Sequence, residues 1–130
     1  MSEKNVEIVR RGYEHYNRTG ELDYSVLDPE VQWIPDPRVG ESPIRGREKL
    51  IEFFVDRASV FREMRVDVER AWDRGDQVLV FVRIAGSGSA SSAGFEIRIA
   101  HLWTLLDGKL VRGQAFGNRD EALEAAGLSE

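Results

Sequence analysis

Apolar residues near the N-terminus recur at the spacing of one helix face: Val6, Val9, Tyr13 and Tyr16, with Ile8, Gly12 and His15 on the neighbouring stripe. That period predicts an amphipathic helix over residues 4–17, stopped by Gly20. A short second helix is expected over 22–27, closed by Asp28-Pro29, and then a strand from Val31 to Ile34. The strand runs into a loop holding Pro35, Asp36, Pro37 and Pro43. Gly46 opens a third helix over 47–61, with Leu50, Phe53, Phe54 and Ala58 on one side. Beyond it the period drops to two, because Met64, Val66 and Val68 alternate with Arg65, Asp67 and Glu69. Asp73-Arg74-Gly75-Asp76 reads as a turn, Val78 to Ile84 as a strand, and Ala85 to Gly94 as a Gly/Ser/Ala loop. A long strand from Phe95 to Leu106, the hairpin dipeptide Asp107-Gly108 and a strand from Leu110 to Phe116 follow. A last helix over 121–126, capped by Asp120 and stopped by Gly127, ends the pattern.

Helices first and antiparallel strands afterwards make an α+β domain. A sheet this long must curl, and three helices can close one side of it as a cone. A two-residue turn at Asp107-Gly108 pairs Leu106 with Lys109, and so His101 with Gln114, Trp103 with Arg112 and Ala100 with Ala115. His101 and Gln114 then share a face with Ile97, Ile99, Trp103 and Phe116. Apolar alternation favours the face of Phe95, Ile97, Ile99 and Trp103 as the inner one.

The 130 residues suit a single domain, 1–130, able to bury roughly two-thirds of its unfolded surface. Without cysteine there are no disulfides and no thiolate metal sites, and the two histidines, His15 and His101, stand apart from carboxylates at metal-ligand spacing. A net charge of −5 argues against nucleic-acid binding. No apolar run approaches the ~18 residues of a membrane span, and the first residues are polar, so a cytoplasmic protein is expected. No nucleophile elbow and no phosphate loop is present, since Gly86-Ser87-Gly88-Ser89 lacks a following helix and lysine.

Several stretches carry a family resemblance. They are Val9-Arg10-Arg11-Gly12-Tyr13-Glu14-His15-Tyr16-Asn17, Gly20-Glu21-Leu22-Asp23, Leu27-Asp28-Pro29-Glu30-Val31-Gln32-Trp33 and Pro43-Ile44-Arg45-Gly46-Arg47-Glu48. The second half adds Ala100-His101-Leu102-Trp103-Thr104-Leu105, Asp107-Gly108-Lys109-Leu110-Val111-Arg112 and Asp120-Glu121-Ala122-Leu123-Glu124-Ala125-Ala126-Gly127-Leu128. In this order the chain resembles the SnoaL-like branch of the nuclear transport factor 2-like superfamily, which includes ketosteroid isomerase and polyketide cyclases. The resemblance implies a cystatin-like cone, with three N-terminal helices on a curved antiparallel mixed sheet and a short C-terminal helix. It also implies a small apolar ligand, a homodimer through the sheet face, and no cofactor or metal in any acid–base chemistry.

By that resemblance Asp36 stands where the isomerase keeps its base, and Tyr13 near its tyrosine donor. The isomerase's protonated acid maps to Ala100 and the cyclases' aspartate to Ala115, so two carboxylates are missing. His101 is a further acid–base candidate, since imidazole is the side chain that changes charge near neutral pH. Trp33, Phe53, Phe54, Phe61 and Phe81 are expected walls of pocket or core. Trp103, Gln114 and Phe116 are expected beside the ligand, and an inward Arg98 would hold a carboxylate or pair with Asp36. Superposition on the isomerase pattern turns the face of Ala100, Leu102, Gly113 and Ala115 inward instead, and a β-bulge would reconcile the two faces. Two functions remain open: a cofactor-free isomerase, cyclase, hydrolase or dehydratase, or a non-catalytic binding or dimerisation module. A polar group buried at the bottom of an open cavity favours the first; an all-apolar or collapsed interior favours the second.

Overall fold

A computed structural model describes residues 2–58, 61–88 and 94–128. Helix α1 (Ser2–Thr19) is followed by strand β1 (Leu27–Ile34), the two-residue strand β2 (Ile44–Arg45) and helix α2 (Arg47–Ala58). Strands β3 (Phe61–Arg74), β4 (Gln77–Gly88), β5 (Gly94–Leu106) and β6 (Lys109–Phe116) come next, and helix α3 (Arg119–Ala125) closes the chain. One six-stranded curved sheet runs in the order β2-β1-β6-β5-β4-β3. Only β1 and β6 pair in parallel; every other neighbour is antiparallel.

Several boundaries differ from the sequence expectation, each for a local reason. The expected second helix is a single 3₁₀ turn, Tyr24–Val26, because Asp23 caps it and Leu27 is already extended. Asp28-Pro29 lies inside β1 rather than closing a helix. Proline has no N–H to give a ladder, and Pro29 falls between Leu27 and Gln32, where the register with β6 shifts. A second 3₁₀ turn, Pro37–Val39, occupies the proline loop. Helix α2 ends at Ala58, short of the expected 61. The last helix is capped by Asn118, whose Oδ1 accepts from the Glu121 N–H at 3.1 Å, and Asp120 sits in its first turn. Of the expected Ala85–Gly94 loop, residues 85–88 and 94 are strand, and 89–93 lie outside the described residues. The side chain of Phe61 also lies outside them.

The Asp107-Gly108 hairpin pairs Leu106 with Lys109 and Leu105 with Leu110 as expected. Val111 is then an extra residue, and every later partner moves by one: Trp103 faces Gly113, His101 faces Ala115, Leu102 faces Gln114 and Ala100 faces Phe116. The expected pairings of His101 with Gln114, Trp103 with Arg112 and Ala100 with Ala115 are therefore corrected. The bulge reverses which residues of β6 point inward.

Two cores result. Beneath α1 and α2, Val9, Tyr16, Leu27, Val31, Trp33, Leu50, Val78, Val80, Val82, Trp103 and Leu105 pack on the inner face. On the outer face, Leu79, Ala100 and Leu102 pack under Ala122 and Leu123 of α3 and Ala126 at its C-terminal cap. The long edge strand β3 is guarded by α1. Asn17 Nδ2 donates to the Val66 carbonyl at 2.9 Å, and its Oδ1 accepts the Val66 N–H at 2.8 Å, as a neighbouring strand would. Among the described residues no helix is long and apolar enough to cross a membrane.

Candidate functional site

The inner face is not filled. A cavity of about 320 Å³ lies between α1, α2 and the sheet. Its walls include Tyr13 and Tyr16 from α1, Trp33 from β1, Phe53 and Phe54 from α2, and Phe95, Ile97, Ile99, His101 and Trp103 from β5. Val39 and Ile97, 60% and 47% exposed, mark its open side.

The aromatic wall depends on a residue without a side chain. Trp33 and Trp103 stand on neighbouring ground with ring centroids 5.4 Å apart, and both lie over Gly113. A Cβ on Gly113 would lie 2.8 Å from Trp33 Cε3 and closer still to the Trp103 ring. Phe54 meets Trp33 edge-on at 5.5 Å, and His101 does the same from the sheet side at 5.2 Å. Ala115, which the bulge turns inward, completes this wall.

A polar chain is embedded in it. The Trp103 Nε1–H donates to the Tyr13 hydroxyl at 2.8 Å, and that hydroxyl lies 2.6 Å from His101 Nδ1. Among the described residues His101 Nε2 has no hydrogen-bond partner. His101 is only 8% exposed. Burial disfavours the imidazolium and pushes its pKa down to about 4, so the ring is neutral at pH 7. Burial pushes the Tyr13 phenol up, against the smaller opposing effect of the Trp103 hydrogen bond, so Tyr13 keeps its proton.

Asp36 also reaches the cavity, but its carboxylate is fully engaged. Oδ1 accepts from the Arg38 N–H at 2.9 Å and Nε at 3.0 Å. Oδ2 accepts from Arg38 Nη2 at 3.0 Å and the Gly117 N–H at 2.7 Å. Arg38 in turn reaches Glu121 of α3 at 2.5 Å. The Arg38 guanidinium, then the Gly117 N–H, hold the Asp36 carboxyl well below the usual carboxylate range. A carboxylate stabilised by four donors is a weak base. Its geometry makes it a clasp that ties the end of β1 to the end of β6.

Thus Tyr13, Trp33, Asp36, Phe54, His101 and Trp103 converge on one cavity. Four residues expected beside a ligand lie on the outer face instead. Phe81 packs edge-on against Trp72 at 4.6 Å, beneath the Arg119 guanidinium. Arg98 is 55% exposed and pairs with Glu69 and Glu96, not with Asp36. Phe116 joins the cluster under α3. Gln114 sits opposite Leu102, because the bulge at Val111 reversed its side. Arg38 and Gly117 were missed by sequence reasoning, although Asp36-Pro37 is a turn signal in which the aspartate caps the N–H two residues on, that of Arg38. Among the described residues no three histidine or carboxylate side chains are grouped as a metal site.

The model of the SnoaL-like domain family matches residues 9–113. Among curated proteins, none matches the chain by sequence. A proposed SnoaL-like polyketide cyclase from Jannaschia sp. CCS1 is similar in structure, with a TM-score of 0.76 at 23% identity, over 88% of this chain and 85% of that one. TerC, co-crystallised with polyporic acid, gives 0.76 at 21% identity over 95% and 98%. A protein of ketosteroid isomerase-like fold from Catenulispora acidiphila DSM 44928, in complex with trimethylamine, gives 0.75 at 15% identity over 95% and 94%. At these identities the likeness is one of fold.

Proposed function

The chain belongs to the SnoaL-like domain family, and from that premise we propose that it binds one small, largely apolar organic molecule in the cavity beneath α1 and α2. The observation that carries this reading is the company of His101 Nε2: a polar atom without a partner among the described residues, on a largely buried side chain in an aromatic wall beside empty volume. A polar atom that opens on such a cavity takes its hydrogen-bond partner from outside the chain, water or ligand, and it is the kind of single polar group that orients a ligand in an apolar site. Trp33, Phe54 and Trp103 supply the apolar contact that such sites use for affinity. Relatives of the fold hold small organic molecules, polyporic acid and trimethylamine among them.

A second reading, cofactor-free acid–base turnover, is favoured by the same imidazole. His101 is the ionisable side chain of the cavity whose reactive nitrogen is open, whereas Asp36 is spent on Arg38 and Gly117. Ala115 places a methyl group where the resemblance puts a cyclase carboxylate, which favours binding over cyclisation. The proposal extends to a homodimer through the outer sheet face, tested by whether sedimentation finds twice the 14.8 kDa chain mass.

The binding test uses the indoles as reporters. Titration with a panel of small aromatic ketones and hydrocarbons is expected to change the emission of Trp33 and Trp103. Ala115→Leu, which fills part of the cavity, is expected to weaken the response. A panel without any binder, or full binding to the filled variant, would sink the reading.

A further inference from the structure

The Tyr13 hydroxyl can bond His101 in two ways, and they present opposite faces to the cavity. If Tyr13 O–H donates to Nδ1, the imidazole proton sits on Nε2, and the cavity meets an N–H donor. If Nδ1–H donates to Tyr13, the cavity meets a lone pair on Nε2.

Three observations decide between them. The indole of Trp103 can only donate, so its 2.8 Å bond takes one of the two lone pairs of the Tyr13 oxygen. Were Nδ1–H to take the other, the Tyr13 proton would have no acceptor among the described residues, since Trp103 and His101 are its only partners there. An orphaned hydroxyl in the protein interior disfavours that arrangement by roughly tenfold or more. The 2.6 Å separation also suits an O–H donor, whose bonds run shorter than those of an N–H.

We propose that Tyr13 and Trp103 lock His101 as the Nε2–H tautomer, so that the cavity selects a neutral, apolar molecule carrying a hydrogen-bond acceptor of the carbonyl type. This deepens the binding reading above and rests on it for the ligand, though not for the tautomer. Tyr13 and Trp103 are positioning residues: they act through the imidazole. A ketone oxygen accepts from Nε2–H while its hydrocarbon body lies against Trp33, Phe54 and Ile99. An ammonium group, with donors and no lone pair, meets a second donor at the same point and is rejected. A carboxylate finds no cation there among the described residues, because Arg38 is bound to Asp36 and Glu121, and Arg98 is on the other face.

The tautomer is read directly from the ¹⁵N shifts of the His101 ring in the unliganded protein. The expected spectrum has a protonated Nε2 and a pyridine-like Nδ1. In Tyr13→Phe the lock is gone, and the shifts move toward a mixture of tautomers. Affinity is measured with two matched probes, α-tetralone and its hydrocarbon tetralin. The ketone is expected to bind roughly tenfold tighter, a margin of one neutral hydrogen bond, with the ratio falling toward one in Tyr13→Phe. A protonated Nδ1 or an equal mixture in the unaltered protein overturns the proposal, even if both probes bind. So does equal affinity for the two probes. Binding of neither probe, with Nε2 protonated, overturns the binding reading and takes the ligand class with it. The spectrum of the unaltered protein keeps the test decisive if Tyr13→Phe fails to fold.

Discussion

The two faces of β4, β5 and β6 are built from the same strands and hold their residues in opposite ways. On the inner face, aromatic rings meet over a glycine and leave space; ionisable groups there are either neutral, as His101 is, or fully paired, as Asp36 is. On the outer face, charges stay at the surface and link in series. Arg83 bonds Glu96, Glu96 bonds Arg98, Arg98 bonds Glu69, and Glu69 bonds Arg119. Single changes therefore weigh differently on the two faces. Inside, low exposure and close packing make each atom count; outside, water screens each pair and neighbours compensate.

The largest effect is expected at Gly113. Gly113→Val puts side-chain atoms where Trp33 and Trp103 lie, and costs about 3 kcal/mol through overpacking. Urea unfolding followed by fluorescence measures it; an unchanged midpoint would mean that the indoles move freely and the inner face is softer than its contacts imply.

Almost as large is the pH effect at His101. Its folded pKa lies near 4, below the ordinary 6.5, so the unfolded chain takes up the proton first. Stability is therefore complete above about pH 6.5 and falls, as the pH drops toward 4, by up to roughly 1.4 kcal/mol per pH unit. His101→Gln is expected to flatten that slope, read as the change in unfolding free energy between pH 7 and pH 5.

Asp36→Asn comes next. An amide in place of the carboxylate turns an N–H group toward the Arg38 and Gly117 donors, and a loss of about 2 kcal/mol is expected from the buried bonds. The native carboxylate contributes its stability above the unfolded pKa of ~4 and loses it as the pH falls below that value. Any catalytic turnover should survive this variant in folded protein. Loss of activity with unchanged stability would restore Asp36 as a base.

The smallest change belongs to the outer face. Arg98→Ala removes half-exposed partners of Glu69 and Glu96 and should shift stability by less than about 0.5 kcal/mol. A shift of several times that size would erase the contrast between the faces.

Much of the fold was legible because its signals are local. The helix face of Val9, Tyr13 and Tyr16, the alternation of Met64, Val66 and Val68, and the Asp107-Gly108 turn each act over a few residues. The convergence of Tyr13, Trp33, His101 and Trp103 was also within reach, since apolar alternation already favoured their face of β5. What alternation could not show was the phase of β6. Val111 differs in no local respect from its neighbours, and the strand swaps sides only because Leu110 packs with Leu105 while Gly113 must lie beneath two indoles. That slip carried Gln114 and Phe116 outward. Phe81 misled for another reason: α3 covers the outer face, so a buried aromatic there reads like one inside. The resemblance, for its part, located Asp36 at the cavity but could not foresee the arginine that occupies it.

The amide of Asn17 has a consequence for how copies of this chain behave at high concentration. β3 is a border of the sheet fourteen residues long, the kind of border along which proteins zip into fibrils. Asn17 occupies both polar groups of Val66, and register shifts at 62–65 and 68–70 roughen the border on either side of it. A strand arriving from another molecule meets an interrupted template. At the opposite border β2 offers only two residues, too few to seed growth.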